Sequence, residues 1–508
     1  MPRFAMFLAC CLSLPLFAAQ PNIVYILADD FGYGDTSCYN PQSKIQTPYI
    51  DRLAKEGMRF LDAHSPSAVC TPTRYGILTG RYSWRTRLKY RVLDGFDPPL
   101  IEQGRMTVGS LLQQFGYRTA CVGKWHLGME WTDQNGKSLP AVSIDRRSPP
   151  RAGKDVDYTR PVKGGPIARG FDYYFGISAS LNMSPFCYLE NDHPVILPTL
   201  DHPRVRGDFI VVDEGVRSPD FTIAGVMPRL AGKTVTYIEK HAEQHADEPF
   251  FLYAPLTSPH LPVIPNAEYR GRSEAGEYGD FVVETDAFVG AVLDALDRTG
   301  LAKDTLVIFT SDNGGLYHWW EPKEADDKNY RVGVRAKYVK ERGHQGNAHL
   351  RGTKADIWEG GHRVPFVVRW PGQTPAGSTC NELVELTDLI ATCAAIVGAD
   401  LPADAGEDSR NILPLLLGKT PSPAARAFAV HHSLWGTFAI RQGPWKLVPK
   451  RGSGGFTRPR ELDPAKVGGP PGQLYHLWSD PSETTNLWEK HPEIVERLSK
   501  LLTRVKAD

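Results

Sequence analysis

The sequence predicts an α/β fold, a large mixed, mainly parallel sheet between helices, followed by a small C-terminal antiparallel sheet with a helix. Three observations predict it. Short β-rich apolar runs recur along the chain and end in polar clusters, as strands buried on both faces do. Helical stretches lie between those runs. Beyond residue 425 the spacing changes to that of hairpins.

The elements follow in order. The run NIVYILA at 22–28 ends at Asp29-Asp30, and 117–122 ends at Lys124 and His126. The run at 249–254 leads to His260, and TLVIFT at 305–310 ends at Ser311-Asp312-Asn313. Helices are expected at 47–56, 108–115, 226–241 and 278–299. Ligands of open α/β sheets bind beyond the carboxyl ends of the strands, so the four polar clusters mark the expected site. The stretches 133–165, 195–219 and 316–351 read as long surface excursions, the last polar and aromatic. Strand-like runs at 426–432, 436–441, 445–449 and 473–477, then a helix at 492–505, make the small sheet. The expected division is a leader at 1–20, a catalytic domain at 21–425 and an α+β subdomain at 426–508.

At 508 residues the chain exceeds the ~250–300 at which a single core stops growing. Lys+Arg and Asp+Glu are both 58, so no overall field draws the molecule to nucleic acid or membrane. Any attraction for an anion must be local. The first twenty residues read as a secretory signal, with Arg3, an apolar stretch at 4–17 and the small pair Ala18-Ala19. That stretch is too short to span ~30 Å of hydrocarbon, so the expected location is secreted, periplasmic or extracellular. Setting aside Cys10 and Cys11 leaves Cys38, Cys70, Cys121, Cys187, Cys380 and Cys393, too few for a disulfide scaffold. Cys380 and Cys393 are the candidates for a pair.

The strongest local signal is SAVCTPTRYGILTGR at 67–81. Pro72 suits the first turn of a helix and Gly80 its end. Cys70 then sits at the N-terminus, where backbone N–H groups and the helix dipole favour an anion, with Arg74 one turn deeper on the same face. Asp29, Asp30, Asp312 and Asn313 offer four oxygen side chains at two strand ends, a set suited to a hard divalent cation, Ca²⁺ best of all. Capping of strand-to-helix turns is the bland reading of either pair alone. In GKWHLG at 123–128, Lys124 and His126 lie at i and i+2 and should point the same way on an extended segment.

Cys-Thr-Pro-Thr-Arg followed by Leu-Thr-Gly-Arg resembles the signature of the type I sulfatases, an arylsulfatase-like branch of the alkaline phosphatase superfamily. The tone is that of the arylsulfatase A and N-acetylgalactosamine-6-sulfatase group, and the likeness runs from Asp29-Asp30 to Leu474-Tyr475 and Asp480-Pro481. The resemblance implies that a maturation enzyme converts Cys70 to Cα-formylglycine. It also implies one Ca²⁺ held by Asp29, Asp30, Asp312 and Asn313 with residue 70, and hydrolysis of a sulfate ester through a formylglycine–sulfate intermediate. Lys124, His126, His260 in TSPHLP and Lys354 in RGTKADIWEGGHRVP match the family's catalytic and sulfate-binding positions, with Glu359 and Arg363 structural. Ser180 matches a sulfate-contacting position, and Ser178 fits nearly as well. The implied substrate is a sulfated carbohydrate or aryl sulfate, with Trp319, Trp320, His344 and His349 as candidates for an aromatic sugar-binding face. A phosphate or phosphonate monoester hydrolase of the same superfamily is the alternative, although Lys124 and Lys354 stand where a second metal would need ligands. A non-catalytic carbohydrate-binding descendant would be marked by loss of Cys70, His126 or Lys354, all of which are present.

Overall fold

The structure, a computed structural model, describes residues 20–141, 150–318, 331–420 and 423–507. The leader and the Trp319–Trp320 pair lie outside the described residues. Ten strands form one mixed sheet: β1 (Asn22–Asp29), β2 (Met58–Phe60), β3 (Arg118–Lys124), β4 (Tyr173–Ile177), β5 (Leu189–Glu190), β6 (His193–Pro194), β7 (Phe250–Pro259), β8 (Thr305–Ser311), β9 (Phe366–Arg369) and β10 (Ser378–Cys380). Their order is β10-β2-β9-β8-β1-β7-β3-β4-β5-β6. The central five, β8-β1-β7-β3-β4, are parallel, and antiparallel strands flank them.

The period-2 alternation of side chains explains why β1 is apolar throughout. Ile23, Tyr25 and Leu27 enter one core, while Val24, Ile26 and Ala28 enter the other. Helices α1 (Pro48–Glu56), α4 (Val226–Gln244) and α5 (Glu277–Arg298) cover the second core through Leu53, Leu230 and Val289. Helices α2 (Cys70–Thr79), α3 (Val108–Gln113) and α7 (Leu389–Val397) cover the first through Ile77, Leu111 and Ile390. Parallel register brings the carboxyl ends of β1, β7 and β8 to one edge, with Ala28 beside Ser311 and Asp29 beside Pro259.

A second sheet, β11 (Ala429–His432), β12 (Phe438–Gln442), β13 (Trp445–Val448) and β14 (Gln473–His476), is an antiparallel meander. Helix α8 (Pro492–Ala507) closes one face with Leu498, Leu502 and Val505. The other face meets Ile357 and Trp358 of the main body. Between the bodies lies a buried polar network. Lys446 reaches Glu359 at 3.0 Å and Glu483 at 2.9 Å. Its Nζ is 3.0 Å from His362 Nε2, and the His362 ring stacks on His431 at a 4.0 Å centroid distance. His64 Nδ1 lies 3.1 Å from His362 Nδ1, and Arg441 bonds Asp62 and His64. Burial pushes all three histidines below their usual range, for His64 in spite of Glu359 and Asp62, and for His362 and His431 with a neighbouring histidine and Lys446 adding to it. Ring nitrogens of His64, His362 and His431 come within 4.8 Å of one another, and Asp62, Arg441 and Lys446 hydrogen-bond into the same cluster.

Three expectations need correction. The stretch 316–351 is not one irregular excursion: 331–341 forms α6 (Arg331–Glu341), because Ala336 and Val339, three apart, turn one face of an otherwise cationic helix inward. The stretch 195–219 pairs with itself as Leu200–His202 against Gly215–Arg217 and Val205–Arg206 against Val211–Val212. Cys380 and Cys393 are both free: Cys380 is at the end of β10 and Cys393 is buried in α7. No helix of the described residues is long and apolar enough to cross a membrane.

Two outcomes follow from the network. Lys446→Met leaves Glu359 and Glu483 buried with their cation gone and should cost ~3–5 kcal/mol in denaturant unfolding. The buried histidines stay neutral, while unfolded ones take protons near ~6.5. Stability is therefore full above that value and is lost as pH falls below it. Thermal unfolding should show Tm dropping between about pH 7 and about pH 5, before ordinary carboxylates near ~4 begin to titrate. A flat Tm across that window contradicts the assignment.

Candidate active site

The site grows from the strand ends and one helix. Val69 is extended and α2 begins at Cys70, so the residue-70 side chain stands at the head of the helix. Gly80, left-handed at φ 64, ends α2 by donating its N–H to Gly76 O at 2.8 Å. Arg74, wholly buried, lies one turn on, and its Nε and Nη2 donate to Asp312 Oδ2 at 3.0 and 2.8 Å. Its Nη1 donates to the carbonyl of Lys124 at 2.8 Å, which ties α2 to the end of β3.

Three carboxylates face three cations here. Lys124 Nζ lies 2.5 Å from Asp29 Oδ2, and Lys354 Nζ lies 2.7 Å from Asp30 Oδ1. His260 follows β7 with Nε2 3.8 Å from Asp30 Oδ2. Ligand atoms of Asp29, Cys70 and Asp312 fall within 4.8 Å of one another, as do those of Asp29, Asp30 and His260. Sequence separations of up to three hundred residues thus close to a single cluster that holds every residue expected at the cation site: Asn313 Nδ2 bonds Asp30 Oδ1 at 2.8 Å.

The backbone is bent to permit this. Asp30 (φ 66), His126 (φ 55) and Ala355 (φ 77) are left-handed without being glycine, a conformation kept only where the surroundings enforce it. The bend at His126 corrects one expectation. The alternation of β3 stops at Lys124, so Lys124 and His126 do not point at a common partner. Lys124 turns to Asp29, while the His126 ring is held by Leu93, whose carbonyl is 2.9 Å from Nε2. A carbonyl accepts only, so Nε2 carries the proton and Nδ1 keeps its lone pair. That Nδ1 is buried and has no hydrogen-bond partner among the described residues. Gly123 lets β3 pass β7: a Cβ there would stand 1.8 Å from Pro255 O.

Ser178 and Ser180 separate. The Ser178 carbonyl accepts the His126 N–H at 2.9 Å. The Ser180 hydroxyl is buried with no partner among the described residues. Aromatic candidates fare differently: His344 is consumed by Asp35, at 2.8 Å from Nε2, and His349 packs edge-on to Tyr33. Leu93 escaped the sequence reading because it acts through its carbonyl, which no side-chain motif records.

Electrostatics at the site are uneven. Burial alone would raise Asp29, but Lys124, with His260 and Arg74, pulls it well below the carboxylate range. Burial, then the Asp29 charge, push Asp312 up in spite of Arg74. Burial, then Lys354, lower His260 to about 4, and burial, then Lys124, lower His126. Burial raises the Cys70 thiol, so the unmodified side chain is a neutral thiol and a poor nucleophile.

The chain belongs to the sulfatase family. The sulfatase family model matches residues 21–399. An N-acetylgalactosamine-6-O-sulfatase of Bacteroides thetaiotaomicron is 33% identical to this sulfatase, over 96% of this chain and 93% of that protein. Human arylsulfatase A is 31% identical over 95% of this chain and 87% of its own length. A solved B. thetaiotaomicron sulfatase structure, described under the metabolism of multiple glycosaminoglycans, superposes with a TM-score of 0.79 at 30% identity. It covers 97% of this chain and 100% of that one. The sulfatase is thus an enzyme that hydrolyses sulfate esters, and these relatives give no support to the phosphate or phosphonate alternative. The family works with a metal ion and a formylglycine.

The residues fit a cation. Asp29 Oδ1 and Asn313 Oδ1 are buried and have no hydrogen-bond partner among the described residues, two acceptors awaiting a positive charge. The three carboxylates and the cations of Arg74, Lys124 and Lys354 cancel, so a divalent ion would leave the site net positive for an anionic ester. Adding a hard divalent cation to chelator-treated protein should raise Tm, by ~2.7 kcal/mol of stability at a hundred times its Kd. Asp29→Ala and Asn313→Ala should each abolish most of the gain, as followed by thermal unfolding with and without the ion.

Proposed function

We propose that this sulfatase removes sulfate from a sulfated carbohydrate, with a 6-sulfated N-acetylgalactosamine as the first sugar to test, using a formylglycine at residue 70 and one Ca²⁺. The relative matched over almost its whole length carries the sugar assignment. The head of α2, ringed by three carboxylates and three cations, carries the chemistry. Asp29, Asp30, Asp312 and Asn313, with residue 70, would hold the Ca²⁺, which supplies positive charge for the sulfate oxygens when bound.

The chain's own groups then divide the work. Lys124 and Lys354 receive the non-bridging oxygens of the sulfate, and the orphaned Ser180 hydroxyl is a third donor. Arg74 and Asp312 orient the residue-70 oxygen that attacks sulfur, as the sulfur–oxygen bond to the alcohol breaks. His260, whose Nδ1–H is held by the Leu261 carbonyl, gives that departing oxygen a proton from Nε2 when the ring is doubly protonated, as the imidazolium. Release in the second step needs a base for the other hydroxyl of residue 70. His126 Nδ1 has the lone pair for it. An alcohol or thiol at residue 70 has no second hydroxyl, which is why an oxidised side chain suits a two-step course.

The proposal places the mature enzyme outside the cytoplasm, on the strength of Arg3 and the apolar stretch behind it, after a maturation enzyme has acted on Cys70. It also divides the chain near residue 425, with 426–508 as the smaller subdomain.

Peptide mass spectrometry of protein matured in the cell should find residue 70 about 18 Da lighter than cysteine. Cys70→Ser should cost ~10³-fold or more in kcat. With an N-acetylgalactosamine 6-sulfate, the matured enzyme should release sulfate, and no release from any sulfated sugar overturns the assignment. His260→Ala should cost ~10²–10⁴-fold on the sugar ester and much less on an aryl sulfate whose leaving group needs no proton. His126→Ala should allow one burst of alcohol release and then stall, which rapid-mixing kinetics would register.

A further inference from the structure

The turn between β11 and β12 carries Trp435, which is 40% exposed and belongs to neither core. Its backbone is fixed: Ser433 donates to Thr437 O at 2.9 Å, Trp435 donates to Gly454 O at 3.2 Å, and Gly436 takes φ 75. The Arg91 guanidinium lies over its indole at 4.2 Å, and the guanidinium of exposed Arg460 stands 5.9 Å from the same ring. Arg91 is left-handed at φ 65, an uncommon state for a long side chain. A guanidinium laid on an aromatic face is pre-oriented for two-pronged recognition of sulfate or carboxylate.

A run of main-chain hydrogen bonds ties this turn to the catalytic loops. Ala355, next to Lys354, donates to Ala68 O at 2.8 Å, two residues before Cys70. Leu434 donates to Ala355 O at 2.9 Å, and Arg91 donates to Leu434 O at 2.9 Å. Two residues on from Arg91, Leu93 holds His126. Each such link advances about 5 Å, so the turn stands within a few sugar lengths of residue 70. Trp435 also lines a groove of about 500 Å³ with Trp84, Arg85, Lys89, Tyr90 and Lys506 among others, four of its ten lining residues cationic and none acidic. Asp408 neutralises Arg85 at 2.8 Å, whereas Lys506 lies over the Phe438 ring at 4.2 Å and Lys89 is exposed.

We propose that Trp435, with Arg91 and Arg460 against it and the cationic groove beyond, is a subsite for the uncleaved part of a polyanionic glycan, holding a sulfate or carboxylate on a neighbouring sugar. The inference rests on the sulfated-carbohydrate reading of the catalytic site and narrows it: the preferred substrate is a chain of anionic sugars rather than a single sulfated one. Aromatic stacking with flanking guanidiniums fits a ring bearing negative charge, and the charge-balanced carboxylate cluster at residue 70 has no group left for a second anion.

Binding can be measured without turnover, by calorimetric titration of the Cys70→Ala protein. Three oligosaccharides share one 6-sulfated terminal sugar and differ in the neighbour: a uronate, a sugar with a second sulfate, or a neutral sugar. Adding Trp435→Ala should weaken both anionic ligands by about tenfold or more and leave the neutral one within about twofold. In matured enzyme the same substitution should raise KM for the anionic substrates by that factor, with kcat held and aryl sulfate turnover unchanged. Arg460→Gln, at an exposed position, should weaken the anionic ligands by about threefold or more. Equal affinity of parent and both variants for all three ligands overturns the subsite. So does an equal loss on the neutral ligand and on aryl sulfate by a variant of unchanged Tm. Selective weakening of anionic ligands by Trp435→Ala, in a protein whose matured form releases sulfate from no ester, supports the subsite and defeats the catalytic reading instead. If only the uronate or only the disulfated ligand responds, the subsite stands and its anion is named.

Discussion

Arg74 has no contact with solvent, yet it carries a full charge between two strand ends and a helix. Three carboxylates cannot share a small buried volume unless cations are built in beside them, because desolvation and mutual repulsion both oppose ionisation. Arg74 answers Asp312, Lys124 answers Asp29, and Lys354 answers Asp30. The planar fork of the guanidinium also serves as a strut, since one arm takes a carboxylate while another takes the Lys124 carbonyl. The position of residue 70 relative to β1, β3 and β8 depends on that strut. Local backbone strain at Asp30, His126 and Ala355 is held by the same packing, and it appears where side chains must turn out of strand geometry to reach one another.

Much of the fold was legible because β1, β7 and β8 each supply two cores at once. A strand that alternates between two apolar layers is apolar at every position, and such runs stand out. The helix caps at Pro72 and Gly80 were legible for a similarly local reason. Of the site, the side chains at strand ends could be read, because chemistry there depends on residue type. What could not be read depends on distance and direction. Nothing near Lys124 announces that the backbone turns left-handed two residues later and sends His126 to Leu93. Helix α6 was hidden by its charge, since among the described side chains its inward face is marked by Ala336 and Val339 and shared by Arg335. The anchoring of the second sheet was hidden too. Lys446, Glu359 and Glu483 are remote in sequence: Glu359 reads as structural, but Lys446 and Glu483 alone read as ordinary surface residues, and nothing pairs the three.

The two sheets have different electrostatic styles. Around residue 70, opposite charges are balanced but three oxygens and one imidazole nitrogen are left without partners among the described residues, as a site awaiting ligands requires. At the junction with the second sheet, Lys446 sits between two glutamates while histidines fill the remaining space and tie the elements together. The junction thus fixes the β11–β12 turn, and with it Trp435, against the loops that hold Lys354 and His126.

The pairing of the residue-70 loop with β11 has a consequence for the order of events in the cell. Ala68 donates to the carbonyl of His432 at 3.0 Å, and Ser67 bridges the same residue, so the loop is completed by a segment made some hundreds of residues later. Once that segment has docked, the Cys70 side chain is sealed, with 2% of its surface reachable. A large reagent that alters this side chain would therefore have to reach it before β11 docks. Closure between segments so far apart in sequence is slow, and its slowness sets the interval in which the cysteine stays within reach.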